Sequence, residues 1–241
     1  MSTYLLVHGA WHTGKELESV AKSISSTGHT VHTPTVKGNR PGDPKSIGLA
    51  QAIESIIDYF TRHELEDVVL VGHSYGGMII TAVADRFPRS VRRLVYWNAF
   101  VPNDGESVYD MVTPQHIALF DASAAERGDG SVMLPFHVWR EALINDVDLE
   151  TARRTYDLLN PHPLKTLTEK ITLKVNPAEM AIAKSYVNGT EDISLPHHYP
   201  WHPRLSRKLG LFRLTQISGS HELCFSNPAL LARAIMDAGR D

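Results

Sequence analysis

Cysteine is nearly absent from this chain. Cys224 stands alone among 241 residues, which excludes an intramolecular disulfide framework and a thiolate metal site. Long hydrophobic runs are missing too, since no stretch approaches the ~18 apolar residues of a membrane span. The start, Met1-Ser2-Thr3-Tyr4, has no basic segment ahead of a long apolar one, so no secretory leader is expected and the cytoplasm is the default compartment. Neither sign of charge dominates: 24 Lys+Arg face 27 Asp+Glu, a formal net charge of −3. That leaves no basic field to hold nucleic acid or an anionic membrane. Internal repeats and low-complexity tracts are also lacking. At 42% apolar and 21% charged residues, wholesale disorder is excluded. The length suits one domain, or one domain carrying an insertion. A homodimer is compatible with this composition. What is plentiful is histidine, with 13 residues.

The first hundred residues alternate short apolar runs with helical periodicity. Strands are predicted over 4–7, 30–33, 68–72 and 94–97, with helices over 16–26 and 75–86. Ser46 is placed to cap a further helix, on which Ile47, Ala50, Ile53, Ile57 and Phe60 recur every three to four residues. This βαβαβ order predicts a mostly parallel sheet with helices on both faces. The pattern changes after Pro102: residues 103–177 show amphipathic pieces between Pro and Gly breaks and no convincing strand. Alternation resumes with strands at 183–188 and 211–217 and a helix at 228–238. The expected organisation is an α/β core of residues 1–102 and 178–241, interrupted by a helical cap at 103–177.

The segment Gly72-His73-Ser74-Tyr75-Gly76 is G-x-S-x-G between a strand and a helix, the context of a nucleophile elbow. Glycines flank the serine because side chains there would crowd a tight turn. Ser74 is thus the candidate nucleophile, and the Tyr75 amide, at a helix N-terminus, can donate to an oxyanion. A serine needs a base oriented by an acid. His221 lies in the small-residue loop Ser218-Gly219-Ser220 after the last strand and has the position of that base. The acid should follow the preceding strand, where Asp192 and Glu191 are adjacent; Asp104, after the 94–97 strand, is a third option. The second oxyanion amide falls to Ala10, in the loop after the first strand.

These stretches resemble the α/β-hydrolase superfamily, and within it the group of plant methyl esterases and α-hydroxynitrile lyases. The resemblance covers nearly the whole chain. It rests on Leu5-Leu6-Val7-His8-Gly9-Ala10, Val69 to Gly77, Asn98-Ala99-Phe100-Val101-Pro102, Thr190-Glu191-Asp192 and Gly219-Ser220-His221. It implies the fold of that superfamily, with nucleophile Ser74, acid Asp192, base His221 and oxyanion amides from Ala10 and Tyr75. Two departures bear on activity. The lyases carry a Thr where this chain has Gly9, and a cyanide-holding Lys where it has Glu222; a carboxylate there is expected to repel cyanide. Lys15 and Glu16 replace aromatic residues that the group often shows.

The reaction these residues suit is hydrolysis of a small-to-medium carboxylic ester or lactone, apolar or aromatic, with no cofactor. Trp11, His137 and Trp139 are candidate pocket residues. His197, His198 and His202 invite a metal reading, but Pro196, Pro200 and Pro203 keep them off one face, and no metal is expected. A cofactor-free C–C hydrolase or ring-cleaving dioxygenase on this scaffold, and a hydrolase-fold receptor for a small ligand, are the competing functions.

Overall fold

The computed structural model describes residues 1–241. Its centre is a six-stranded sheet in the order β2-β1-β3-β4-β7-β8, parallel throughout. The strands are β1 (Thr3–Val7), β2 (Thr30–His32), β3 (Val68–His73), β4 (Val91–Trp97), β7 (Ala183–Gly189) and β8 (Arg213–Ile217). A separate two-residue antiparallel ladder joins β5 (Ser131–Val132) to β6 (His162–Pro163) in the middle of the chain, where no strand was expected. Nine α-helices accompany them: α1 (Glu18–Ser25), α2 (Leu49–Arg62), α3 (Gly76–Arg86), α4 (Pro114–Arg127), α5 (Phe136–Val138), α6 (Leu149–Tyr156), α7 (Lys165–Thr168), α8 (Leu223–Ser226) and α9 (Pro228–Gly239). None is long and apolar enough to cross a membrane.

Side chains alternate across a strand, and here the alternation sorts two cores. Tyr4, Leu6, Val69, Val71, Val95 and Val187 pack with α1 and α9 on one face. Leu5, Leu70, Leu94 and Tyr186 join α2, α3 and the segment between β4 and β7 on the other. Every residue of β3 is buried, as a central strand covered on both faces requires. Because the strands are parallel, their carboxyl ends converge. The chain segments after Val7, His73, Trp97, Gly189 and Ile217 all emerge at one edge, where such sheets bind ligands.

Two helices start later than the sequence periodicity placed them. The predicted helix at 16–26 opens as a 3-10 turn, Gly14–Leu17, capped reciprocally by Thr13 and Glu16, before α1 begins. Ser46 is not the cap of α2; Gly48 is, and the Leu49 amide donates to Glu169 Oε2 at 2.6 Å. The two-residue delay goes with a buried face of Leu49, Ala52, Ile56 and Phe60, leaving Ala50 exposed and Ile53 and Ile57 half-buried.

Candidate active site

The turn from β3 to α3 holds Ser74 with φ +51°, a left-handed backbone that a side chain adopts only under constraint. Its neighbours explain the flanking glycines. A Cβ on Gly76 would come within 2.6 Å of the Val7 carbonyl oxygen, and one on Gly72 within 2.8 Å of the Gly76 oxygen. Ser74 O accepts from the Gly77 and Phe100 amides at 3.0 and 3.1 Å, fixing the turn against the loop after β4. The Ala10 and Tyr75 amides donate to no backbone acceptor, and both residues line the same cavity as Ser74.

His221 arrives from the loop after β8. Asp146 holds that loop, its Oδ2 accepting from the Ser220 amide at 3.1 Å and the Ser226 hydroxyl at 2.8 Å. The imidazole is 3% exposed, and its Nδ1 donates to Asp192 Oδ2 at 2.6 Å. Asp192 Oδ1 accepts from the Ser194 amide at 2.9 Å and the Ser194 hydroxyl at 2.5 Å. Ser194 Oγ in turn accepts from Trp201 Nε1 at 3.0 Å, and the Trp201 ring stacks on His221 with centroids 5.1 Å apart. Burial pushes the His221 pKa down, but the charge and hydrogen bond of Asp192 outweigh it, and the net direction is upward.

Neither alternative carboxylate reaches His221. Glu191 is exposed, and its Oε1 accepts from the Ser218 hydroxyl. Asp104 is spent on loop geometry, its Oδ1 accepting from the Leu173 amide at 2.8 Å.

Above Ser74 and His221 opens a cavity of about 180 Å³ with predominantly apolar walls. Trp11 lines it, its Nε1 donating to the Val132 carbonyl at 3.0 Å. The other two candidate pocket residues do not line it. His137 is exposed on α5. Trp139 is fully buried behind the wall, its Nε1 donating to the Ala152 carbonyl at 3.2 Å; an indole needs an acceptor when buried, and α6 supplies one. Val112, Phe120, Leu134 and Val138, from the segment between β4 and β7, do face the cavity. So does His116, with both nitrogens occupied: Nδ1 accepts from the Thr113 hydroxyl at 2.8 Å and Nε2 donates to the Ser194 carbonyl at 2.9 Å. No Lys or Arg lines the cavity.

Of the Pro-rich histidines, His202 Nδ1 pairs with the Ser206 hydroxyl at 2.7 Å, which spends one nitrogen on local packing. Sequence reasoning missed Ser194, whereas Trp201, which also lines the cavity, belongs to the Pro-rich aromatic stretch from Pro196 to Pro203. Glu222 also departs from expectation. It is absent from the cavity wall and is buried, with Oε2 3.3 Å from His12 Nε2 and Cys224 Sγ at 3.6 Å. Repulsion of cyanide is therefore not what Glu222 does. Gly9 bears more directly on the lyase comparison, because a Cβ there would stand 2.9 Å from His73 Nδ1 and 3.1 Å from Ser74 Cβ.

This geometry has relatives. An extracellular alpha/beta-hydrolase from a Paenibacillus species, described as sharing structural and functional homology with tobacco salicylic acid binding protein 2, superposes with a TM-score of 0.96. It is 33% identical, with 100% of both chains covered. A carbendazim hydrolyzing esterase of Nocardioides sp. (strain SG-4G) is 39% identical over 141 residues, 54% of this chain and 58% of that enzyme. Methylesterase 18 of Arabidopsis thaliana is 23% identical over 207 residues, covering 78% of this chain and 79% of that protein. A family model described as "Alpha/beta hydrolase family" matches residues 4–234, and to that family this chain belongs.

Proposed function

We propose that this chain is a serine hydrolase that cleaves small, neutral, apolar carboxylic esters or lactones through an acyl-enzyme. The observation that carries the reading is the 2.6 Å bond between His221 Nδ1 and Asp192 Oδ2 at the wall of the cavity that Ser74 also lines. Nδ1–H is committed to a carboxylate, so Nε2 is left as the basic nitrogen. Ser74 Oγ attacks the ester carbonyl carbon while Nε2 takes the hydroxyl proton. The imidazolium is stabilised by Asp192, and the tetrahedral oxyanion by the Ala10 and Tyr75 amides, which have no backbone acceptor of their own. Collapse breaks the C–O bond, and the leaving alkoxide receives the proton from Nε2. Water then repeats the sequence on the acyl-enzyme and frees Ser74. Every step uses side chains and amides of the chain itself, and no cofactor enters.

Substrate class follows from the walls. A cavity of about 180 Å³ is on the scale of the ~150 Å³ apolar void that accommodates benzene, room for one ring or a short acyl chain. Residues 103–177 act as the cap that shapes it, since Val112, Phe120, Leu134 and Val138 come from there. With His116 and Ser194 already hydrogen-bonded and no cation in the wall, a charged acyl group finds no partner. The relatives named esterase and methylesterase support ester cleavage.

The test is hydrolysis of p-nitrophenyl butyrate against p-nitrophenyl hemisuccinate, with fluorophosphonate labelling mapped by peptide mass. Turnover of the butyrate, a slower hemisuccinate and a label on Ser74 that Ser74→Ala abolishes are expected. Folded protein that neither labels nor turns over would overturn the reading.

A further inference from the structure

Beneath the cavity floor lie three buried polar side chains that the reaction does not use. His12 comes from the loop after β1, two residues beyond Ala10. His73 precedes Ser74, and Glu222 follows His221. Their exposures are 2%, 2% and 1%. Each belongs to a different loop of the site: oxyanion, nucleophile and base.

Two contacts join these loops. His73 Nε2–H donates to the backbone carbonyl of His221 at 3.0 Å, and the His73 ring stacks on Trp97 with centroids 3.8 Å apart. A carbonyl only accepts, so the proton of His73 sits on Nε2. His12 Nε2 stands 3.3 Å from Glu222 Oε2, and neither ring nitrogen of His12 meets a hydrogen-bond partner in good geometry. A buried imidazole with no other partner is costly unless a neighbour shares a proton with it, and Glu222 is that neighbour. Burial favours the uncharged form of both, holding His12 down at about 3 and lifting Glu222 to about 8. Between uncharged partners 3.3 Å apart, the bond open to the pair is one from the Glu222 carboxyl O–H to His12 Nε2. Glu222 is further tied by its own amide, which donates to the Leu143 carbonyl at 3.2 Å, and Leu143 lines the cavity.

We propose that His12 and Glu222 are positioning residues: a buried hydrogen-bonded strut between the oxyanion loop and the base loop that, with the His73–His221 bond, keeps the His221 imidazole in register with Ser74 and the Ala10 amide. Neither touches substrate, and the proposal rests on the serine-hydrolase reading above. The strut acts on kcat, because a base misplaced by about 1 Å loses roughly a hundredfold in rate while the cavity walls that bind substrate are unmoved.

The test uses p-nitrophenyl butyrate kinetics, thermal melting and metal analysis on the full chain. Glu222→Met keeps the side-chain length without the bond; kcat is expected to fall about 10- to 100-fold with KM within about twofold. Glu222→Gln, whose amide can donate to His12 Nε2, should restore kcat to within about threefold of wild type. The double variant His12→Phe/Glu222→Met leaves neither member of the pair orphaned and frees only the weak Cys224 thiol donor, so it should melt near wild type yet keep the low kcat, and it serves if the single variant does not fold. Recovery of kcat in the double variant would reduce the pair to packing and overturn the proposal, as would wild-type kcat in Glu222→Met. One ring nitrogen each from His12 and His73 and one Glu222 carboxylate oxygen lie within 4.8 Å of one another. A stoichiometric metal ion in the purified protein, whose removal abolishes turnover, would replace the strut with a metal centre. Wild-type protein that neither labels at Ser74 nor turns over would overturn both readings together, whereas the outcomes above leave the hydrolase reading intact.

Discussion

Buried neutral histidines make this fold acid-sensitive in a defined window. Burial holds His8 down at about 4 and His12 at about 3, against an ordinary value of 6.5. Below pH 6.5 the unfolded chain takes up protons that the native state refuses, so stability falls with falling pH until those native values are reached. From pH 6 to pH 5 each such group removes about 1.2 kcal/mol. Glu222 works the other way. Its native value is lifted to about 8 from 4.5, so between those limits the native state holds a proton that the unfolded chain has lost. Over the same unit of pH it returns about 1.2 kcal/mol. The three together lose about 1 kcal/mol, and His73 and His162, both buried and held well below 6.5, act in the same direction. The expected drop is therefore at least about 1 kcal/mol, out of the roughly 5–15 kcal/mol that holds a domain together. Above pH 6.5 the sign reverses, because Glu222 and the raised His221 both weaken the fold as they lose their protons. Urea unfolding at half-unit steps from pH 5 to 8 should give a maximum near pH 6.5 and an unchanged m-value. In Glu222→Gln the alkaline decline should become shallower. A stability that is flat or rising from pH 6 to pH 5 would refute the claim that these histidines are neutral in the native state.

Asp192→Asn should lower kcat by about four orders of magnitude, since an amide stabilises the wrong imidazole tautomer. Glu191→Gln and Asp104→Asn, remote from His221, should keep most of the activity on p-nitrophenyl butyrate; the reverse order would move the acid elsewhere. Gly9→Thr should not create a lyase: its Cβ would press on His73 and Ser74, costing about 1–3 kcal/mol, seen as a lowered Tm and no release of benzaldehyde from mandelonitrile.

The parts of the fold that could be read from residues are those where local chemistry and tertiary need coincide. The run Val68-Val69-Leu70-Val71 is apolar on both faces because β3 is covered on both. Gly72 and Gly76 flank Ser74 because the turn leaves no room for a Cβ. Where a distant group decides, the sequence is silent. The start of α2 depends on Glu169, 120 residues away, accepting from the Leu49 amide, so a helix cap inferred from Ser46 alone misses by two residues. Whether Asp192 or Glu191 meets His221 cannot follow from two adjacent carboxylates at one strand end. Gly189 N bonds Asn98 Oδ1 and Asp192 Oδ1 receives the Ser194 amide, and these contacts turn one carboxylate inward and leave the other in water. Trp139 fails as a pocket residue for the same kind of reason. Its indole N–H must find an acceptor, Ala152 and Thr155 on α6 provide it, and the ring is drawn behind the wall that Val138 and Leu143 complete. Glu222 is the sharpest case. Its place after His221 suggested a charge facing the substrate, yet with the His221 ring bonded to Asp192, Glu222 lies on the side of the loop where His12 is buried. What looked like an anion in the pocket is an uncharged group beneath it, and the surplus of histidine noted in the composition is in part the price of building such a floor from imidazoles that stay neutral.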